Sequence, residues 1–304
     1  MNVTKNMKQI LGQKLRIAIV GAGNIGSTFA FQLANSGHHK VTVVARPGSI
    51  RLKQLQRDNG IININLERAQ VDVVDSLDPE VDFDLVIVTT LAYQVDAVLP
   101  ALAASKAKWI QFMFNCFEPE RLSAAVGPER CSFGEPFVQA LIDADGKLKS
   151  TIGAMGQKTK MGDQRLVDVF NASKLPATYE PNMALWLRCH APLCVAFESI
   201  SVAGVRRGGG ASWAVAMTVA RGAQEGWKLI QAEGDFIYPK AKARFASSPA
   251  AVLASVLWFM SRIKSFRELL ANGLNECSAL VDVMIIAAKR HPNIDAIKIQ
   301  AMKP

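Results

Sequence analysis

The sequence predicts two domains of different class, an α/β domain built on a doubly wound parallel sheet and an all-α helical domain after it. Three observations lead to this prediction. A glycine-rich turn follows an apolar run near the amino terminus, strand-like and helix-like segments alternate through the first half, and helical periodicity alone fills the second half. Strands that alternate with helices form parallel sheets covered on both faces, so the first domain is predicted to be of the Rossmann type. The chain of 304 residues is long enough for both.

The predicted strands of the first half are short and mostly apolar. They are Arg16–Val20, Val41–Ala45, Ala69–Val74, Leu85–Thr89, Trp109–Phe112, Cys131–Phe133, Phe137–Ile142 and a last strand near Ile152. Helices are predicted after the glycine-rich turn, at Asn24–Ser36, and at Ser49–Asn59, Val95–Ser105 and Asp163–Ala172. Pro100 lies inside the third of these helices or kinks it, and Asp143–Gly146 is a turn signal.

Beyond residue 176 the strand patterns fade and apolar residues recur at helical spacing. The predicted helices are Met183–Ala203, Ala211–Gln231, Pro249–Ile263 and Glu276–Arg290. Helices this apolar must pack on one another. We therefore predict a nucleotide-binding Rossmann domain at residues 1–176 and a helical domain at residues 177–304.

The glycine-rich turn has the sequence Gly21-Ala22-Gly23-Asn24-Ile25-Gly26. Gly21 permits a tight turn from strand to helix, Gly23 lets a pyrophosphate approach the backbone, and Gly26 lets the helix pack close to the strand. The helix begins at Asn24 and Ile25, where free N–H groups and the helix dipole favour an anion. This arrangement predicts a dinucleotide-binding site.

The residue that ends the second predicted strand indicates which dinucleotide is bound. A site specific for NAD places Asp or Glu there to hold the ribose 2′-hydroxyl, whereas an Arg accommodates a 2′-phosphate. Here the position is Arg46, with Arg51 and Lys53 just beyond it. The predicted cofactor is therefore NADP.

Composition excludes several other classes. The net charge of +9 is scattered, without a Lys/Arg-rich run beside aromatic residues, so we expect no nucleic-acid partner. The five cysteines are odd in number and show no CxxC spacing, which favours reduced thiols over disulfides or a metal site. The segment Met1–Lys14 lacks the apolar stretch of a signal peptide, and the apolar windows are too short to span a membrane. We expect a soluble cytoplasmic protein without a membrane partner.

Several stretches resemble the ketopantoate reductase family. Lys40-Val-Thr-Val-Val-Ala-Arg46, followed by Leu52 and by Gly60-Ile61, is similar to one signature of that family, and so are the segment Asp84–Val95 and Asn115 at the end of a strand. In the second domain Ser265-Phe266 and then Glu276 resemble its Ser-Met … Glu element. The resemblance covers the whole chain.

The resemblance implies an oxidoreductase that uses NADPH to reduce a small 2-oxo acid, 2-dehydropantoate to pantoate in pantothenate biosynthesis, in a cleft between the domains. It implies that Gly21, Gly23, Gly26 and Arg46 contact NADP. It places Asn115 near the nicotinamide and the substrate, gives Ser265 to substrate binding, and makes Glu276 a carboxylate that assists an active-site lysine. A further lysine that the family places after the fourth strand is replaced by Leu91.

The helix that opens the second domain departs from the family. Ketopantoate reductases carry a lysine there, with asparagines four and eight residues later. Alignment on Trp186 puts Arg188 at the lysine and Pro192 and Ala196 at the asparagines, and alignment on Pro192-Leu193 puts Met183, Leu187 and Ala191 at these places. Neither register recovers the set.

The catalytic assignment is therefore open. The new oxyanion needs a proton donor or a positive group, and we expect Arg188 to supply charge and His190 the proton. His190 shares a helix face with Met183 and Leu187. The alternatives are that His190 is a plain helix histidine, that Arg188 forms an ion pair, and that Glu276 is only an acid near a helix N-terminus.

Three functions are consistent with the sequence. The first is ketopantoate reduction, the second is a related 2-oxo acid or opine-type dehydrogenase with another substrate, and the third is a non-catalytic NADP-binding sensor. The expected partner is the small 2-oxo acid itself, with a homodimer left open as the assembly state.

Overall fold

A computed structural model describes residues 13–271 and 274–304 of the chain. All but the last two residues of the segment Met1–Lys14 lie outside the described residues. The chain divides into two compact units, the first made of Met1–Phe114 and Glu120–Met183 and the second of Asn115–Pro119 and Ala184–Pro304. The first unit is α/β and the second is helical, as predicted.

An eight-stranded sheet forms the first unit. The strands of the unit are β1 (Arg16–Val20), β2 (Lys40–Val44), β3 (Ile61–Ile62), β4 (Arg68–Ala69), β5 (Asp72–Val74), β6 (Leu85–Val88), β7 (Trp109–Met113), β8 (Cys131–Glu135), β9 (Val138–Ile142), β10 (Leu148–Ile152), β11 (Thr159–Met161) and β12 (Ala177–Tyr179). The order in the sheet is β12-β11-β8-β7-β6-β1-β2-β5. The pairs from β5 to β8 are parallel, as predicted, and β11 is antiparallel to β8.

Two strand predictions need correction. The segment Ala69–Val74 is not one strand, because β4 pairs with β3 and only β5 joins the edge of the main sheet. The predicted strands at Phe137–Ile142 and near Ile152 exist, but as β9 and β10 they form a separate antiparallel hairpin. The turn between them explains this, since Gly146 takes a φ of +89° and reverses the chain.

Three side chains of one helix hold this turn. Helix α2 (Ile50–Arg57) supplies Arg51, Gln54 and Arg57, and each donates a hydrogen bond to a different backbone carbonyl of residues 144–146, at 2.8–3.0 Å. The hairpin is thereby fixed beside the helix that follows β2.

The remaining helices of this part of the chain lie between the strands. They are α1 (Asn24–Asn35), α3 (Leu99–Ala104), α4 (Pro119–Val126) and α5 (Gln164–Ala172). The single helix predicted at Val95–Ser105 is a 3₁₀ turn, Ala92–Ala97, followed by α3. Pro100 lies in the first turn of α3 and so does not kink it, because that turn needs no N–H from the proline.

The second unit packs helices around a core that includes Trp227, Leu257 and Met284, each with no exposed surface. Its helices are α6 (Met183–Arg206), α7 (Trp213–Ala232), α8 (Lys240–Ser247), α9 (Ala250–Met260), α10 (Lys264–Leu270), α11 (Leu274–Ala288) and α12 (Ala296–Gln300). The sequence analysis missed α8, α10 and α12, which are too short for a clear periodicity. Among the described residues no single helix could cross a membrane, and two bent pairs of helices could by length and composition alone.

Candidate functional site

A cleft of about 900 Å³ opens at the carboxyl ends of β1, β2 and β6. Open α/β sheets bind their ligands at this edge. The cleft is lined by five of the predicted cofactor residues, Gly21, Gly23, Asn24, Ile25 and Arg46. The described structure thus brings the predicted nucleotide residues together on one unit.

The three glycines of the turn have separate roles. Gly21 takes a φ of +109°, and its carbonyl oxygen accepts a hydrogen bond from Thr89 Oγ1 at 2.8 Å. A Cβ on Gly26 would lie 1.9 Å from that same oxygen and 2.4 Å from Thr89 Oγ1, so this position tolerates no side chain. A Cβ on Gly23 would meet no atom within 4 Å. Gly23 therefore leaves room for a ligand, while Gly26 serves the fold.

The end of the cleft beyond β2 has an unpaired positive charge. Arg46 is exposed and makes no side-chain hydrogen bond or ion pair within the described part of the chain. Arg51 also lines the cleft, but it donates to Ser27 Oγ at 3.1 Å and to the Gly146 carbonyl, so its guanidinium is engaged. Asp75, which the sequence analysis did not single out, lines the same end and is exposed. It was missed because it follows β5 and not β2.

In the helical unit, Asn115 and Glu276 belong to one cluster of polar side chains around Glu198. Asn115 Nδ2 donates a hydrogen bond to Cys194 Sγ at 3.3 Å, and Cys194 Sγ donates to Glu198 Oε1 at 3.5 Å. Cys277 Sγ donates to Glu198 Oε2 at 2.6 Å, and Glu276 is its chain neighbour. We call these five residues the Glu198 cluster.

Burial sets the charges of this cluster. Desolvation, with a smaller contribution from the charge of Glu198, raises the pKa of Glu276 to about 7. Desolvation also raises the pKa of Glu198, and the two thiol donors oppose that shift. The pKa of the Cys277 thiol is raised as well, because the thiol is buried beside Glu198. At neutral pH the Cys277 thiol is protonated, and Glu276 is poised to exchange a proton.

His190 lies in a different environment from the one expected of a proton donor. Its ring packs against the Trp186 ring at 4.5 Å between centroids, and Lys242 lies nearby. Its Nδ1 atom is buried and has no hydrogen-bond partner in the residues that the structure describes. Burial, with the charge of Lys242, lowers the pKa of His190 to about 3. His190 is therefore neutral near pH 7 and has no imidazolium proton to give there, which favours the alternative of a plain helix histidine over the expected proton donor.

Arg188 is engaged by other groups of the helical unit. Its Nη1 atom forms an ion pair with Asp235 Oδ2, and its Nε atom donates to the Phe117 carbonyl at 3.1 Å. This is the ion-pair alternative that the sequence left open. A role for Arg188 in holding substrate charge would have to break this pair.

The face of α6 that meets Asn115 carries His190, Cys194 and Glu198, at spacings of four residues. This is the spacing that the family resemblance gives to a lysine and two asparagines. The sequence analysis missed Cys194 and Glu198 because it fixed the register by residue identity. The available signal was the helix face, since positions i, i+4 and i+8 project on one side.

Ser265 lies outside the hydrogen bonds of the Glu198 cluster. It is exposed in the first turn of α10. Its neighbour Phe266 packs edge-on against Phe197 of α6, with 5.4 Å between ring centroids, next to Glu198 in the chain. Its expected role in substrate binding stays a prediction.

Residues 17–165 match the family model described as Ketopantoate reductase PanE/ApbA. A 2-dehydropantoate 2-reductase of Pyrococcus abyssi (strain GE5 / Orsay) is 26% identical over 182 residues, which are 57% of this chain and 59% of that protein. The chain thus matches less than two thirds of the length of this curated relative.

Solved structures share the fold over nearly the whole chain. A D-mandelate dehydrogenase in complex with NADH has a TM-score of 0.68 and 17% identity, with 95% of this chain and 96% of that one covered. A probable 2-dehydropantoate 2-reductase from Bacillus subtilis has a TM-score of 0.68 and 18% identity, with 95% and 98% covered. At these identities the likeness shows the fold, and it agrees with the predicted fold class.

Proposed function

Because the chain belongs to the ketopantoate reductase family, whose members are oxidoreductases acting on keto groups, we propose that it reduces a small 2-oxo acid with NADPH. The first candidate substrate is 2-dehydropantoate, and the product is then pantoate. One observation carries this proposal: the glycine-rich turn opens at Gly23 into a cleft whose far end has the free guanidinium of Arg46.

The residues of the cleft fit a nicotinamide dinucleotide. The open Cβ position of Gly23 and the helix terminus at Asn24 and Ile25 suit a pyrophosphate, and Arg46 suits a 2′-phosphate. When bound, NADPH supplies the hydride. The protein itself supplies binding, orientation and a proton.

NADPH is proposed over NADH because the Arg46 side chain has no hydrogen-bond or ion-pair partner among the described residues. Asp75 at the same end of the cleft acts in the opposite sense, since a carboxylate repels a 2′-phosphate. The two charges make cofactor preference a direct test of this part of the proposal.

In the helical unit, the Glu198 cluster is proposed as the substrate side of the reaction. Within the described part of the chain Asn115 Oδ1 is buried without a hydrogen-bond partner, so the amide oxygen can accept a hydrogen bond from a substrate hydroxyl or a carboxamide. Asn115 Nδ2 is already held by Cys194, which fixes the amide in one orientation.

The second candidate is a dehydrogenase of another 2-oxo acid or of the opine type. It is favoured by the residues on α6, where His190, Cys194 and Glu198 hold the spacing that the family resemblance gives to a lysine and two asparagines. Different polar groups at a substrate site select a different substrate, because buried groups left unpaired are costly.

The experiment is NADPH oxidation by the purified protein with 2-dehydropantoate and with a panel of branched, aromatic and amino-bearing 2-oxo acids. Preferred turnover of 2-dehydropantoate supports the first candidate, and turnover of another acid supports the second. NADPH binding without any turnover would instead indicate the non-catalytic sensor. Light scattering on the same sample separates a monomer from a homodimer, which the sequence left open.

A further inference from the structure

On the basis of the proposed use of NADPH, we propose that Arg51 is a positioning residue for the pyrophosphate of the cofactor and not a ligand of its 2′-phosphate. Arg51 acts through Ser27, which orients the peptide group between Ala22 and Gly23 so that the Gly23 N–H is directed into the cleft. All of these residues belong to the first unit.

The hydroxyl group of Ser27 has one hydrogen, and its neighbours determine where that hydrogen points. Arg51 Nη2 donates a hydrogen bond to Ser27 Oγ at 3.1 Å, and a guanidinium can only donate. The Ser27 hydrogen is therefore left for the Ala22 carbonyl oxygen, which lies 3.1 Å from Ser27 Oγ. Ser27 has no exposed surface, so water does not compete for this hydrogen. The position of the Arg51 guanidinium thus determines how the Ala22 carbonyl is held.

The direction of the Ala22 carbonyl determines the direction of the next N–H. The peptide bond between Ala22 and Gly23 is trans, since the one cis peptide bond among the described residues is at Tyr238–Pro239. In a planar trans peptide group the C=O and N–H bonds point in opposite directions. Because the Ala22 oxygen faces Ser27 on α1, the Gly23 N–H faces away from that side chain. Gly23 lines the cleft, and its N–H has no acceptor in the described chain, so it can donate to a pyrophosphate oxygen.

The amino-terminal end of α1 is left open for an anion. Gly23 is the N-cap residue and has no side chain, so the first N–H groups of the helix are not capped by it. The Asn24 side chain is occupied elsewhere, because its Oδ1 atom accepts a hydrogen bond from the Ile142 N–H at 3.0 Å. The hairpin β9–β10 therefore contacts the turn at Asn24 as well as through Arg51.

Arg51 is held in place by the same hairpin. Its Nη1 atom donates to the Gly146 carbonyl at 2.8 Å, and its Nε atom is sealed from solvent. Desolvation lowers the pKa of Arg51, and the charges of Asp58 and Asp143 oppose that change. A guanidinium that turned toward a 2′-phosphate would give up these contacts. Arg46 is exposed and can bind that phosphate without such a loss.

Three single variants of the full chain separate positioning from charge. Arg51→Met removes the contact with Ser27 and one positive charge, whereas Ser27→Ala removes the contact and no charge. Arg57→Met is the matched control. Arg57 lies on the same helix and donates to the Asp145 carbonyl of the same turn, at 2.8 Å, but its hydrogen bonds do not reach α1.

Two fragments of the cofactor probe the two ends of the cleft by calorimetry. ADP has a pyrophosphate and no 2′-phosphate, and adenosine 2′-monophosphate has the reverse. Arg51→Met and Ser27→Ala should each weaken ADP, NADH and NADPH by a similar factor of about tenfold, because a hydrogen bond to a charged group is lost. Ser27→Ala should leave the affinity for adenosine 2′-monophosphate nearly unchanged. Arg57→Met should leave all four affinities nearly unchanged.

A second measurement reports on the turn without any ligand. In protein labelled with ¹⁵N-glycine, the amide resonance of Gly23 should move in Arg51→Met and in Ser27→Ala, because the Ala22 carbonyl loses its donor. It should stay in place in Arg57→Met. An unmoved Gly23 resonance in Ser27→Ala would overturn the inference.

The binding data can overturn it independently. If Arg51→Met lost affinity for NADPH and kept its affinity for NADH and ADP, Arg51 would be a ligand of the 2′-phosphate. Wild-type affinity for ADP in Ser27→Ala would exclude the role of the hydroxyl. A wild type that binds none of these nucleotides overturns both this inference and the proposed function. Binding without reduction of any 2-oxo acid overturns the proposed function alone.

Discussion

The ammonium group of Lys242 lies 3.9 Å from the centroid of the Trp186 ring and donates a hydrogen bond to the Trp186 carbonyl oxygen at 3.0 Å. Lys242 is 6% exposed, so a positive charge is buried in the helical unit. The contact with the aromatic face and the carbonyl compensates part of its desolvation. His190 packs on the same tryptophan, and this charge disfavours a second one on its ring.

We expect His190 to stay neutral down to about pH 3 in the folded protein. Its imidazole resonances should show no titration near 6.5, and Lys242→Met should raise the pKa of His190 by removing the neighbouring charge. Proton NMR of the wild type and the variant measures both. A wild-type His190 that titrates near 6.5 would contradict the buried environment described here.

The same residue should make stability depend on pH. Below about 6.5 the unfolded chain takes up a proton at His190, whereas the folded chain does so only near 3. The stability due to neutral His190 is therefore complete above 6.5 and is lost as the pH falls through that window. His190→Gln should flatten this part of the profile of the free energy of unfolding, measured by urea denaturation.

Cofactor preference should follow the two charges at the end of the cleft. We expect NADPH to bind at least about tenfold more tightly than NADH, because a charge-assisted contact with Arg46 contributes roughly 1.5–3 kcal/mol. Arg46→Ala should erase most of this preference and leave NADH affinity nearly unchanged, as measured by calorimetry. Asp75→Asn should strengthen NADPH binding, and Lys149→Ala, an exposed lysine outside the cleft, is the matched control. Equal affinities in the wild type would refute the NADP assignment.

Alanine substitutions at Gly26 and Gly23 should affect stability and cofactor binding differently. Gly26→Ala should lower the free energy of unfolding by about 1–3 kcal/mol, because its Cβ would overlap the Gly21 carbonyl oxygen. Gly23→Ala should cost less than about 1 kcal/mol, since only a helix-cap preference is lost. It should nevertheless weaken NADPH binding, because the methyl group occupies the open cleft. Thermal unfolding without cofactor and calorimetry with it separate the two effects.

Arg188 and Asp235 should be coupled in stability and not in catalysis. Removal of one partner leaves the other partly buried and unpaired, so a double-mutant cycle of Arg188→Met and Asp235→Asn should give a coupling energy of roughly 0.5–3 kcal/mol. In an active protein, Arg188→Met should keep the wild-type KM for the 2-oxo acid. A large rise in that KM would indicate that Arg188 contacts the substrate.

The parts of the fold that depend on neighbours in sequence were predictable. The turn from Gly21 to Gly26 and the basic residue Arg46 are short sequence signals, and the structure places Arg46 and the turn up to Ile25 in one cleft. The hairpin β9–β10 was assigned to the wrong sheet, because an apolar pattern records that a segment is a strand and not which strand it pairs with.

The chemistry of the helical unit depended on contacts between distant residues. His190 was expected to supply the proton, and only the packing of Lys242 and Trp186 around it shows that its ring is neutral near pH 7. Glu198 draws its two donors from its own helix and from Cys277 on α11. The spacing of residues in the sequence does not indicate the contact between Cys277 and Glu198.

The contacts between α2 and the β9–β10 turn determine which substitutions the turn tolerates. Arg51, Gln54 and Arg57 donate hydrogen bonds to backbone carbonyls of the hairpin turn, and every amino acid has such a carbonyl. Substitutions at residues 144 and 145 should therefore leave these hydrogen bonds nearly unchanged. Gly146 cannot be replaced in this way, since its φ is positive and a Cβ there would lie 2.8 Å from the side chain of Gln54. Sequence variation at this turn should therefore leave Gly146 and the three α2 residues that contact the turn unchanged.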